Sequence, residues 1–188
     1  DEPLGAELYH DGGNVADVPA SDPGTTLTYV ASSAGTYHVK VETGASTPGS
    51  YEVRVDVGRG IQLESDANYA NDSMSGADIL TFSAMGARRN ATIAGTLMAP
   101  AEQVDEDYFS LGTVQDGETI LLSLRLPESS ALRPVIEIRD SAGAVVDVTP
   151  NPTETVARAN ITQSDAYYAV VVAFTGQGPW GQYLLDAG

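Results

Sequence analysis

The sequence contains no cysteine, which excludes disulfides, thiolate metal sites and a thiol nucleophile. Positive charge is almost as scarce. Nine lysines and arginines stand against 26 aspartates and glutamates, a formal net charge of −17, and Lys40 is the only lysine. A phosphate backbone is repelled by such a field, so no nucleic acid is expected as a partner. Acidic, lysine-poor surfaces suit high salt, where screening removes most of the self-repulsion, and dense carboxylates attract divalent cations. No apolar run approaches the about 18 residues of a membrane span, so none is expected. The chain opens on Asp1 without a leader and reads as a mature segment. The lack of cysteine fits a bacterial extracellular or cell-surface protein, and a cytosolic protein without cysteine is the alternative.

Catalytic signatures are also missing. The two histidines, His10 and His38, belong to neither a Gly-x-Ser-x-Gly nor a His-Glu-x-x-His pattern. A glycosidase needs two carboxylates placed across a cleft, and nothing in so acidic a chain singles out such a pair. No enzyme activity is expected.

What the sequence does contain is a repeat. Residues 6–58 lie over residues 136–188 at a constant offset of 130 without a gap. Gly13 falls on Gly143, Val15 on Val145, Asp17 on Asp147, Tyr37 on Tyr167, Val41 on Val171, Asp56 on Asp186 and Gly58 on Gly188. A period of this length is the size of a domain rather than of a solenoid repeat. The expected organisation is therefore a C-terminal half-repeat over residues 1–58, a linker over 59–65 and a complete domain over 66–188.

Within the repeat, residues alternate with period two. In Thr36-Tyr37-His38-Val39-Lys40-Val41-Glu42, the tyrosine and valines share one face and His38, Lys40 and Glu42 the other. The stretch 51–57 repeats the pattern after a turn at Thr47-Pro48-Gly49-Ser50. Strands are predicted over 90–97, 107–111, 119–126, 135–140, 166–174 and 182–187, punctuated by Asp116-Gly117, Ala142-Gly143 and Gly12-Gly13. Residues 70–82 are the one helix-compatible stretch. Short strands at regular spacing predict an all-β, jelly-roll-like antiparallel β-sandwich, in tandem with an incomplete N-terminal copy.

Several segments carry a family resemblance: Asn71-Asp72-Ser73, Ile93-Ala94-Gly95-Thr96-Leu97, Asp105-Glu106-Asp107-Tyr108-Phe109-Ser110-Leu111, Ala166-Tyr167-Tyr168 and Gly181-Gln182-Tyr183. Together they resemble the bacterial pre-peptidase C-terminal domain, a group related to clostridial collagenase collagen-binding domains. Residues 6–58 carry only the end of the pattern, including Gly35-Thr36-Tyr37 and Gly49-Ser50-Tyr51. The resemblance implies a β-sandwich without catalysis that accompanies secreted peptidases or surface proteins, sometimes binding substrate or calcium.

Two candidate sites follow. Calcium prefers six to eight oxygen ligands drawn from several carboxylates and carbonyls. Asp66, Asn68, Asn71 and Asp72 supply one group of donors, and Asp105 with Asp107 another. In calcium-binding relatives, the segment before Asn-Asp-Ser and the Asp-x-Asp-Tyr-Phe loop form the site together. Those relatives have glutamates directly before the Asn-Asp pair, where this chain has Tyr69 and Ala70; Glu64 and Asp66 lie further upstream. The competing reading is that Asp105 and Asp107 cap a turn. For a ligand surface, the single tryptophan, Trp180, and an outward-facing Tyr168 are the candidates, against the plainer reading that Trp180 closes a core. The expected partners are other copies of the chain, flanking domains of a larger surface protein, or an extracellular polymer. The expected role is a structural or assembly module in which strands of another chain complete the half-repeat. The alternative is an accessory domain that binds collagen or polysaccharide.

Overall fold

The computed structural model of the protein describes residues 4–21, 27, 29–43, 51, 53, 55, 57–58, 60–66, 69–97, 105–127, 130–151, 153–173 and 181–188. The chain divides into two compact units, Asp1–Val57 and Gly58–Gly188.

The second unit is an all-β sandwich. Its strands are β4 (Ile61–Leu63), β5 (Asp78–Ile79), β6 (Ser83–Met85), β7 (Arg88–Leu97), β8 (Glu106–Val114), β9 (Thr119–Arg125), β10 (Pro134–Asp140), β11 (Val145–Val148), β12 (Val156–Asn160), β13 (Asp165–Ala173) and β14 (Gly181–Ala187). One sheet has the order β11-β10-β13-β8-β5, the other β12-β9-β14-β7-β4, with β6 added to β7. Alternation sends Ile93 and Leu97 of β7, Phe109 and Leu111 of β8, Leu122 and Leu124 of β9, and Leu185 of β14 into one core. At about 25 cal/mol per Å² of apolar surface removed from water, this layer drives the fold.

Three expectations are corrected here. The sheets are mixed rather than wholly antiparallel, because β4 runs parallel to β7 and β5 parallel to β8. The expected linker at 59–65 contains β4, since Ile61, Gln62 and Leu63 pair with Thr92, Ile93 and Ala94. The helix-compatible stretch is turns followed by β5, because Ser and Gly compete with helical hydrogen bonding and β8 offers an edge for Asp78 and Ile79.

The first unit is a three-stranded antiparallel sheet, β2-β1-β3, made from β1 (Leu4–His10), β2 (Gly13–Ser21) and β3 (Tyr37–Thr43). Its central pairing runs from Leu4 opposite Thr43 to His10 opposite Tyr37. In the second unit, Pro134 pairs with Ala173 and Asp140 with Tyr167. Each of these residues is displaced by 130 from its counterpart, so the repeat seen in sequence is a repeat of strand register. Tyr37 donates its hydroxyl proton to the Ser33 carbonyl at 2.9 Å, as Tyr167 does to that of Gln163 at 2.8 Å. The hairpin partner slips by one residue: Glu7 faces Asp17, but Glu137 faces Val148. The turns explain this slip. Asp11 and Gly12 both have positive φ, 49° and 82°, as a two-residue hairpin turn requires, whereas in the corresponding turn between β10 and β11 only Gly143 does.

Residues 51, 53, 55 and 57, expected in a strand, are outside any strand. Their counterpart β14 lies between β7 and β9, and the first unit has no such pair among its described residues. The turn expected at 47–50 and the loop at 176–179 lie outside the described residues.

Candidate cation site

The core-facing row of β8 begins with acids. Asp105 and Asp107 have the same parity as Phe109 and Leu111, so the pleat aims them inward, and they are 3% and 0% exposed. Asp107 lies across from β14, where the Tyr183 hydroxyl donates to its Oδ2 in a short hydrogen bond. Tyr183 is itself buried and pairs across the ladder with Gly95 of β7. A Cβ at Gly95 would overlap the Tyr183 ring and lie 2.8 Å from Glu64 Oε2, so glycine makes room for both groups. Glu64 continues β4, its N–H donating to the Ala94 carbonyl at 3.1 Å. Glu64, Asp107 and Tyr183 thus form a polar layer at the edge of the core.

A second layer comes from the loop after β4. Tyr69 has a φ of +58°, a left-handed conformation uncommon for tyrosine, and it turns the chain so that Asp66 meets the residues that follow. Asp66 accepts from the Asn71 N–H at 3.5 Å. The loop is stitched to β8 by Tyr108 N–H donating to the Asn71 carbonyl at 3.0 Å and Glu106 N–H donating to Asp72 Oδ1 at 3.4 Å. One carboxylate oxygen from each of Asp66, Asp72 and Asp105 lies within 4.8 Å of the others. Asn71 is fully buried, and neither polar atom of its amide has a partner among the described residues. The same is true of Asp66 Oδ2, Asp107 Oδ1 and Glu64 Oε2.

Burial and mutual repulsion set the protonation of this cluster. Burial pushes Glu64 and Asp107 well above the usual carboxylate range; neighbouring acids push the same way, while Tyr183's hydrogen bond opposes the rise at Asp107. Asp66 is raised mainly by burial, and the Asn71 N–H opposes this. Tyr183 is held in its neutral, donating form. A buried polar atom without a partner costs roughly 1–3 kcal/mol. A divalent cation bound among these oxygens would both satisfy them and cancel the repulsion. The donors are all oxygen and mostly anionic, which fits calcium; Asp66, Asp72 and Asp105 would hold it, with the Asn71 amide and Asp107 behind them.

The site brings together Asp66, Asn71, Asp72, Asp105 and Asp107 from the sequence reading. Asn68 and Trp180 lie outside the described residues. Tyr168 is half-buried on the opposite face of β13 from Tyr167, paired with Arg139 of β10 and Ser110 of β8. Glu64 and Tyr183 were not singled out as site residues. The signal for Glu64 was its parity with Gln62 on β4, visible only once β4 is a strand.

Raised carboxylates also occur in general acids, but Asp107 has no exposed surface and Glu64 Oε2 is sealed from solvent. In the first unit, His10 stacks on Tyr37 with ring centroids 4.4 Å apart, and His38 is exposed on β3. Among the described residues, no helix is long and apolar enough to cross a membrane.

No family model and no curated protein matches the chain. Among solved structures, it is similar to PliG, a periplasmic lysozyme inhibitor of g-type lysozyme from Aeromonas hydrophila. The two are 9% identical with a TM-score of 0.45, covering 68% of this chain and 97% of that one. It is also similar to the pre-peptidase C-terminal domain of collagenase from Bacillus anthracis. Here the identity is 20% and the TM-score 0.37, covering 53% of this chain and 89% of that one. At these values neither likeness transfers a function to this chain.

Proposed function

We propose that the chain is a non-catalytic structural module of an extracellular or cell-surface assembly, in which a calcium-rigidified β-sandwich accompanies a half-sandwich that a partner completes. The observation that carries the reading is the buried Asn71 amide, whose polar atoms have no partner among the described residues, behind the Asp66–Asp72–Asp105 carboxylates. A buried unpaired oxygen costs stability, and a cation held by the neighbouring carboxylates would give the Asn71 Oδ1 and those acids a partner. A cation there ties the loop after β4 to the start of β8, which joins the two sheets at one end. Such rigidification suits a spacer or connector outside the cell, where calcium is plentiful.

The test is thermal unfolding of the full chain in calcium and in chelator. A ligand that binds only the folded state stabilises it by about 2.7 kcal/mol at 100 times its dissociation constant. The melting midpoint of the second unit is therefore expected to rise by several degrees in millimolar calcium. An identical midpoint in calcium and in chelator would sink the cation reading.

A further inference from the structure

Building on the reading of the first unit as an assembly element, we propose that its occupant is the front half of another copy of this repeat. That occupant is a segment with the strand pattern of residues 59–133. The second unit supplies the template. There, β13 pairs along its other edge with β8, and β14 lies between β7 and β9. All three of these strands come from the front half. The first unit reproduces the β10–β13 pairing of the back half at an offset of 130, in the seven-pair register of β1 with β3 and in the hydroxyl bond from Tyr37 to Ser33.

The exposure pattern matches an open seat for such a half. Tyr183, Leu185 and Ala187 of β14 are 2%, 0% and 3% exposed, whereas Val53, Val55 and Val57 are 45%, 62% and 92% exposed. On the sheet itself, Val39 is exposed where Ala169 is buried, and Ala6 and Leu8 are half-covered where Ile136 and Ile138 are buried. Apolar alternation that faces water over one edge and one face marks a binding surface. A second copy of this chain is a poor occupant, because its front half is already filled by its own back half. That back half carries Ile136, Tyr183 and Leu185 where the first unit has the smaller Ala6, Val53 and Val55, and so it outcompetes the first unit for the seat.

The experiment duplicates residues 59–130 ahead of Asp1 in the full chain, so that the extension joins residue 1 as residue 130 joins residue 131. Amide hydrogen exchange is then followed across residues 51–57. The unextended chain is expected to exchange there without protection, and the extended chain about 100-fold more slowly. Adding Val53→Tyr to the extended chain restores the hydroxyl that Asp107 accepts in the second unit and is expected to increase the protection. Unprotected exchange over 51–57 in both extended chains overturns the proposal. So does protection in the unextended chain that grows with its concentration, since a second copy is then the occupant. The calcium-dependent midpoint of the second unit, measured on the same samples, reports on the cation reading separately.

Discussion

The Tyr183 hydroxyl on β14 donates to the Asp107 carboxylate on β8, so one hydrogen bond ties together the two sheets of the sandwich at the floor of the acidic cluster. Both groups are buried, and removing one leaves the other unpaired. Tyr183→Phe is therefore expected to destabilise the second unit by about 1–3 kcal/mol, the cost of an orphaned buried acceptor. Urea unfolding in chelator measures it. A loss within 0.5 kcal/mol would mean that Asp107 finds another donor once the hydroxyl is gone.

Gly95 makes the same relationship testable from the other side. A methyl group there meets the Tyr183 ring and crowds Glu64, and the ring, held by the core and by Asp107, has little room to move. Gly95→Ala is expected to cost about 1–3 kcal/mol through overpacking, although alanine suits a strand better than glycine does. Equilibrium unfolding decides: a stabilised variant would show that Tyr183 repacks freely.

Without a divalent cation, the second unit should lose stability as the pH rises. Glu64 and Asp107 have folded-state pKa values raised above their ordinary 4.5 and 3.8, principally by burial. From about pH 4 up to those raised values, the folded state holds protons that the unfolded state has released, so stability falls with increasing pH. The melting midpoint in chelator is expected to be higher at pH 5 than at pH 8. Calcium should flatten or reverse this slope, because the cation favours the ionised acids. A midpoint that climbs from pH 5 to pH 8 in chelator would contradict the raised values.

Asp72 and Asp105 separate cation binding from folding. Asp72 is half-buried and lies in the loop, so Asp72→Asn keeps the shape and the acceptor for the Glu106 N–H while removing one charge. It is expected to weaken calcium binding about 10-fold or more, with the chelator midpoint unchanged or slightly raised because a like charge has gone. Asp105→Asn should act in the same direction. Calorimetric titration of each variant with calcium checks this, and wild-type affinity in both would place the cation elsewhere.

The sheets were legible in the sequence because the core strands alternate cleanly, and the order of Asp105, Asp107, Phe109 and Leu111 already placed acids in a core-facing row. What the sequence hid depends on tertiary partners. β4 is three residues long, with no alternation to read, and it is a strand because β7 offers it an edge. Its unrecognised place kept Glu64 out of the predicted site. The stretch 51–57 failed in the opposite sense. Its alternation is as regular as that of β14, yet residues 51, 53, 55 and 57 are outside any strand, because a strand needs neighbours that the described residues of the first unit do not supply. The pattern specified which face is apolar, and the partner decides whether a ladder forms.

That contrast gives the last prediction, on a matched pair of positions. Leu185 and Val55 are the same position of the repeat, one sealed in the core and the other 62% exposed. Leu185→Ala empties a packed site between the sheets and is expected to cost about 2–5 kcal/mol. Val55→Ala removes a side chain that touches little in the chain alone and should stay within about 0.5 kcal/mol. In the chain extended by residues 59–130, the seat for residues 51–57 exists. There the same Val55→Ala substitution should become costly, by roughly 1–3 kcal/mol, as burial of a valine implies. Denaturant unfolding of the variants in both backgrounds gives the comparison. A Val55→Ala cost that is equal with and without the extension would mean that the appended half never closes over residue 55.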